Sequence, residues 1–344
     1  MISIVLGTRP EIIKMAPVIR ACGHRGIAYS VLHTGQHYSY EMDRIFFEEL
    51  ELPAPMYNLD VGSGHHAEQT GKIMTGIEKI FLSDHPDIVL VQGDTNTVLA
   101  GALAASKLHI PVGHVEAGLR SFDRSMPEEI NRIVADHIAD YLFAPTDLSR
   151  QYLLREGIDE RKIHVTGNTI VDAVFQNRTI AKKRSTVLHD KGLTPGNYFL
   201  VRAHRAENVD VKARLAGIIN GLSSVGRSFG IPVVFPMHPR TQKMMKEFGI
   251  DASGITLTEP IGYMEFLELE ANARLILTDS GGVQEEACIL NVPCVTLRGN
   301  TRRPETIDAG ATMPAGTDAT RIIEAAGRML SVAKEWMIRT SLCS

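Results

Sequence analysis

Cysteine is scarce and scattered. The 344 residues hold four, Cys22, Cys288, Cys294 and Cys343, none at CxxC spacing, so neither a disulfide framework nor a thiolate zinc site is expected and the thiols read as reduced. Positive charge is short as well. Lys and Arg number 36 against 40 Asp and Glu, a net charge of −4, and no basic run carries interleaved aromatics, which argues against a nucleic-acid partner. Long apolar runs are missing too. The longest have strand length, far below the roughly 20 residues of a membrane-spanning helix, and the chain opens directly on Met1-Ile-Ser-Ile-Val-Leu6. No membrane span and no signal peptide are expected, and the expected location is the cytoplasm. What the chain does have is length and 44% apolar residues, enough for two domains of about 150–170 residues each.

Short apolar segments alternate with amphipathic ones from end to end. Strands are predicted over residues 2–6, 30–33, 88–92, 112–115, 141–144 and 162–165, then over 198–203, 233–236, 255–257, 275–278 and 294–297. Helical patterns occupy 11–22, 96–108, 213–229 and 263–272. That alternation predicts parallel sheets with helices on both faces, and right-handed crossovers place every strand-to-helix turn on one edge of its sheet. The expected domains are 1–168 and 169–330, with a connecting helix over 171–183, a polar segment over 184–197 and a tail over 331–344. No internal repeat or low-complexity tract is present.

Such sheets bind ligands beyond the carboxyl ends of their strands, so the residues there are the candidates. Two strand ends stand out: Val91-Gln-Gly-Asp94-Thr-Asn-Thr97 and Thr278-Asp-Ser280-Gly281-Gly282-Val-Gln-Glu285-Glu286. Two edges closing on one ligand would make a cleft enzyme. In the second, serine, glycines and a helix start offer backbone N–H groups to an anion, and a glutamate one turn on can accept both hydroxyls of a ribose. After the first strand, Gly7 allows close backbone approach, Pro10 suits a first helical turn, and Arg9 and Lys14 bring positive charge. A plain helix start with a surface cation accounts for that turn equally well.

Asp94 sits where Asp also serves as a helix N-cap, and taken alone that reading wins. Glu116 ends the next strand, in Pro111-Val-Gly-His114-Val-Glu116-Ala-Gly118-Leu-Arg120. Pro127 starts a helix whose first turn carries Glu128 and Glu129, favoured there by the macrodipole anyway. Three carboxylate sites on one edge are harder to dismiss. Crowded or half-desolvated carboxyls acquire raised pKa values, which suits proton transfer near neutrality. In the second half, His204 and His238 end strands and can serve a phosphate or carry a proton. Arg302-Arg303-Pro304 can bring guanidinium to a diphosphate. His65 and His66 lack partners at metal spacing and read as a loop. Met244 and Met245 read as helix core, and Tyr38, Tyr40 and Met42 as packing or loop residues.

Together Gly7-Thr-Arg-Pro-Glu-Ile-Ile-Lys14, Gly35-Gln-His37, Gly93-Asp-Thr95, Gly113-His-Val-Glu-Ala-Gly-Leu-Arg120, Pro127-Glu-Glu-Ile-Asn-Arg132, Val165-Thr-Gly-Asn-Thr169 and Thr278-Asp-Ser-Gly-Gly-Val-Gln-Glu-Glu286 resemble the non-hydrolysing UDP-N-acetylglucosamine 2-epimerases. The motifs run in order over about residues 2–330. The resemblance implies an α/β fold of two Rossmann-like, doubly wound parallel-sheet domains facing across a cleft, of the glycosyltransferase-B type. It implies conversion of UDP-GlcNAc to UDP-ManNAc through elimination of UDP to 2-acetamidoglucal and re-addition, with no cofactor and no metal, in a homodimer. Asp94, Glu116 and Glu128 become the acid/base candidates and His204 the phosphate-side histidine. Arg9, Lys14, Ile261, Phe266, Ser280, Gly281, Gly282, Glu286 and Arg303 become the nucleotide-binding positions, with Phe266 beside the uracil.

The chain also departs from that pattern. Arg202 stands where a small polar residue is usual and should find a carboxylate or phosphate, since a buried unpaired guanidinium is costly. Arg302 replaces a common Glu. Gln36-His37-Tyr38 stands where many members carry Gln-His-Arg, which argues against activation by a second substrate molecule. Residues 333–344 lack the usual Asn-Pro-Tyr-Gly-Asp-Gly segment, which bears on domain closure. The competing readings are a hydrolysing epimerase that releases ManNAc and UDP, a glycosyltransferase on the same fold, and a non-catalytic UDP-sugar-binding protein.

Overall fold

The computed structural model describes residues 1–36, 40–299 and 304–331. The chain divides into two compact units, Met1–Ala173 and one that begins at Val174, so the division runs through the helix Thr169–Arg184. Each unit is one parallel sheet with helices in its crossovers.

The first sheet contains β1 (Ile2–Leu6), β2 (Tyr29–His33), β3 (Tyr57–Asn58), β4 (Ile88–Gln92), β5 (Val112–Val115), β6 (Tyr141–Ala144) and β7 (Ile163–Val165), in the order β3-β2-β1-β4-β5-β6-β7. The second contains β8 (Phe199–Arg202), β9 (Val233–Pro236), β10 (Ile255–Thr258), β11 (Leu275–Thr278), β12 (Cys294–Thr296) and β13 (Thr312–Pro314), in the order β10-β9-β8-β11-β12-β13. Central strands covered on both faces need continuous apolar runs. Val89 and Val91 on β4 and Leu275, Ile276 and Leu277 on β11 are fully buried. The strand order reverses between β1 and β4 in one sheet and between β8 and β11 in the other. At such switch points neighbouring turns diverge and leave a crevice. The turns after β1 and β4 carry Gly7–Arg9 and Asp94–Asn96, and those after β8 and β11 carry Ala203–Arg205 and Asp279–Gly282.

The predicted strands all form, with ends that differ by a residue in places. Two more were not predicted. β3 is two residues long and β13 is Thr-Met-Pro. Neither has an apolar run of its own, and each is a strand by virtue of pairing with β2 or β12. The loop expected at His65-His66 is instead a helix start: His66–Asp84 is helical with His65 at its N-cap. Ile73, Ile77 and Phe81, spaced by four, supply its buried face. Of the methionine pair, Met245 is buried and Met244 half-buried. Among the described residues no helix is long and apolar enough to cross a membrane.

Candidate active site

At the switch point of the first sheet, Glu116 follows β5 with φ +68°, a left-handed conformation that L residues seldom adopt and that concentrates at functional sites. Its carboxylate accepts from Lys14 Nζ at 2.5 Å and from Gln92 Nε2 at 2.5 Å. Lys14, expected among the nucleotide-binding cations, is thus paired with a carboxylate. Asp94, at the end of β4, pairs with Arg132, and its carbonyl accepts from Asn131 Nδ2 at 2.9 Å. It is not the helix cap. Thr95 is, accepting from the Val98 amide, so the Asp94 carboxylate is left to Arg132.

The expected pair in the first turn of Pro127–Ile138 separates in role. Glu129 is buried and accepts from Ser121 N at 3.0 Å, Ser121 Oγ at 2.8 Å, Phe122 N at 2.9 Å and Arg132 Nη1 at 2.9 Å. Burial opposes its ionisation, but these donors outweigh burial and hold its pKa below the usual value. Glu128 is exposed and its side chain bonds to no described residue.

After β1, the Gly7 and Thr8 amides do not await an anion. They donate to buried Glu11 at 2.6 and 2.9 Å, and Thr95 Oγ1 donates to it at 2.5 Å. Burial pushes this carboxyl up to about 7 against those bonds. Gly7 is needed for packing: a Cβ there would lie 2.0 Å from Thr97 Oγ1 and 2.4 Å from Thr34 Oγ1. Arg9 lies over the Phe46 ring at 5.6 Å.

At the switch point of the second sheet, buried Asp279 organises the turn after β8. It accepts from the His204 amide at 3.1 Å, the Arg205 amide at 2.9 Å and Asn208 Nδ2 at 3.1 Å. The His204 ring stands 5.6 Å from that of His238. Burial pushes its pKa down to about 4, and Arg202, His238 and Arg205 add to that effect against Asp279. His204 is therefore a neutral imidazole at neutral pH.

Ser280 sits at the N-cap of the helix Gly281–Ile289. The amides of Gly281, Gly282 and Val283 bond to no described residue. A Cβ at Gly281 would meet nothing within 4 Å, and one at Gly282 only Ser280 Oγ at 3.9 Å. This is an open helix N-terminus of the kind that takes phosphate. Glu286, buried in the same helix, is pushed up to about 7 by burial, with Tyr263 and Arg202 opposing the rise. Its buried neighbour Glu270 is pushed higher by burial and by the Glu286 charge. Phe266 is buried and Ile261 half-buried, just before the helix Tyr263–Asn272. The Arg202 guanidinium lies over the Phe266 ring at 5.2 Å and hydrogen-bonds to no described residue, with Glu270, Asp279 and Glu286 as its attracting charges. Arg302 and Arg303 lie outside the described residues, as do His37, Tyr38 and the tail from 332 on.

Sequence reasoning missed the groups that hold the candidates. Arg132 was legible, three residues after Glu129 on one helix face. Gln92 and Asp279 gave no signal, because their partners are distant in sequence. Among the described residues no group of three or more His, Cys, Asp or Glu could hold a metal ion.

The family model described as UDP-N-acetylglucosamine 2-epimerase matches residues 20–340. The chain belongs to that family. A UDP-N-acetylglucosamine 2-epimerase of Methanocaldococcus jannaschii is 56% identical over 342 residues, covering 97% of this chain and 93% of the relative. A crystal structure of the M. jannaschii UDP-GlcNAc 2-epimerase in complex with UDP-GlcNAc and UDP superposes with a TM-score of 0.86 at 55% identity, covering 100% of this chain and 96% of the other. That of the Neisseria meningitidis UDP-GlcNAc 2-epimerase bound to UDP-GlcNAc gives 0.83 at 32% identity, covering 99% and 96%. The family fold, two Rossmann-type parallel-sheet domains, is the one expected from sequence.

Proposed function

We propose that the chain inverts C2 of UDP-N-acetylglucosamine to give UDP-N-acetylmannosamine, and that the two switch-point sites serve this one reaction. The observation that carries the reading is chemical division of labour. One sheet edge presents Asp94 and Glu116, each bonded to a cation; the other presents an open helix N-terminus followed by a buried carboxyl. The hydrogen on C2 has no neighbouring carbonyl to acidify it, so direct abstraction and return would be slow. Elimination removes the difficulty. A carboxylate takes the C2 proton, the electron pair forms the C1=C2 double bond, and the C1–O bond breaks to release UDP and leave 2-acetamidoglucal. On return, UDP oxygen attacks C1 as C2 receives a proton on the opposite face.

Each group has a task in that scheme. Lys14 and Gln92 hold the Glu116 carboxylate and Arg132 that of Asp94, and exposed Glu128 completes the acid/base set. The amides after Ser280 stabilise the departing diphosphate, joined by Arg9, Arg303 and neutral His204 as an N–H donor. Glu286 receives the ribose hydroxyls, Phe266 packs beside the uracil and the Ile261 backbone hydrogen-bonds to it. No redox or metal step is needed. The protein would work in the cytosol as a homodimer, a state that sedimentation reads directly.

Incubation with UDP-GlcNAc in deuterated water tests the reaction. UDP-ManNAc bearing deuterium at C2 is the expected product. Free ManNAc with UDP would make the enzyme a hydrolysing epimerase, and nucleotide binding without exchange would make it a binding protein.

A further inference from the structure

Within Gly113-His-Val-Glu-Ala-Gly-Leu-Arg120, His114, Gly118 and Arg120 have no task in the scheme above, yet they belong to a hydrogen-bonded chain that runs from buried His114 to partly exposed Glu156. His114 is fully buried, with Nδ1 2.7 Å from Asp136 Oδ1 and Nε2 2.8 Å from the Gly93 carbonyl oxygen. Asp136 is buried too. Its other oxygen accepts from Arg120 Nη1 at 2.7 Å and the Gly118 amide at 3.2 Å. Arg120 continues to Glu156 through Nε at 2.7 Å and Nη2 at 2.6 Å.

A carbonyl oxygen only accepts, so Nε2 must carry a hydrogen. A carboxylate already bound by a guanidinium only accepts, so Nδ1 must carry one as well. An imidazole with both hydrogens is a cation. Charge balance agrees: Glu156 and Asp136 bring two negative charges and Arg120 one positive. Arg120 divides its one charge between buried Asp136 and partly exposed Glu156, so a charged ring completes the compensation of Asp136.

We infer that His114 is a standing imidazolium that positions the Asp94 turn and places a fixed positive charge beside Glu116, a positioning residue for the epimerisation. The β4–β5 ladder ends where the Gly93 amide donates to Val115 O at 3.1 Å. Gly93 then turns with φ +86°, and its carbonyl has lost its strand partner. The His114 ring replaces that partner one residue before Asp94. The charged groups facing the ring are Asp136 and Glu116, with Arg120 beyond Asp136 and Lys14 beyond Glu116. Burial presses its pKa down, but Asp136, the Gly93 carbonyl and Glu116 together outweigh burial and raise it.

Ring 15N–1H correlation spectra of the full chain test the charge, and turnover tests the role. In the wild type, one histidine should keep both ring nitrogens protonated above the ordinary value of about 6.5. That signal should vanish in His114→Gln, and it should titrate in Asp136→Asn. On the epimerase reading, His114→Gln should lower kcat about 10–100-fold while KM moves less than about threefold. A wild-type spectrum in which every histidine ring is neutral above that value overturns the inference, as does wild-type kcat in folded His114→Gln. The spectra need no turnover, so they decide even if the reaction proves different or that variant fails to fold.

Discussion

Glu11 carries the cost of closing the first turn onto itself. Its folded value of about 7 lies above the unfolded value of 4.5, so the folded chain binds this proton more tightly. The stabilisation is complete below about 4.5, fades as pH rises, and is gone above about 7. The shift corresponds to roughly 3 kcal/mol at most. Glu11→Gln abolishes the titration, so the stability of wild type relative to this variant should decline across that interval in denaturant melts; a flat difference refutes the assignment. Gly7 and Gly281 make a second contrast at the same scale. Gly7→Ala drives a Cβ into Thr97 and Thr34 and should lower stability by about 1–3 kcal/mol. Gly281→Ala has open space around it and should leave the denaturation midpoint nearly unchanged. Equal shifts for the two would mean that neither glycine is where its contacts indicate.

The elements explain why some of the site was legible and some was not. β4, β5 and β11 announce themselves as apolar runs that stop at a small polar turn, and Asp94, Glu116 and Ser280 are found by reading one or two residues past the stop. β3 and β13 carry no such run. The cap reading of Asp94 failed because Thr95, one residue on, has the hydroxyl geometry for the task. The packing of Gly7 on Thr34 and Thr97 was not legible, because that contact is invisible before the strands are aligned. The helix Pro127–Ile138 acts as one tool: Glu129 ties down Ser121 and Phe122, Asn131 holds the Asp94 carbonyl, and Arg132 holds its carboxylate. Arg132→Gln removes the partner that holds the Asp94 carboxylate, so turnover should fall by about 10²-fold through its misplacement while UDP binding is kept. Unchanged turnover would separate the Arg132–Asp94 pair from the rate-determining step. Asp94→Asn and Glu116→Gln should each cut turnover by about 10²–10⁴-fold.

At the scale of the whole molecule, each unit has its own task to lose. If the first sheet's edge does the proton chemistry and the second binds nucleotide, a variant in one unit should spare the other's task. UDP at about 100 times its dissociation constant should stabilise the chain by roughly 2.7 kcal/mol, visible as a raised melting temperature. Asp94→Asn should keep that shift and lose turnover. Gly282→Asp tests the converse. The position is open and exposed in the first turn of Gly281–Ile289, so a carboxylate there suits the helix dipole and should not harm the apo fold. It also sets a negative charge among the amides that would meet a diphosphate, so the UDP-induced shift should collapse. Were Gly282→Asp to keep the full shift while Asp94→Asn lost it, the nucleotide would be bound by the first unit, and the assignment of chemistry to one sheet and recognition to the other would be reversed.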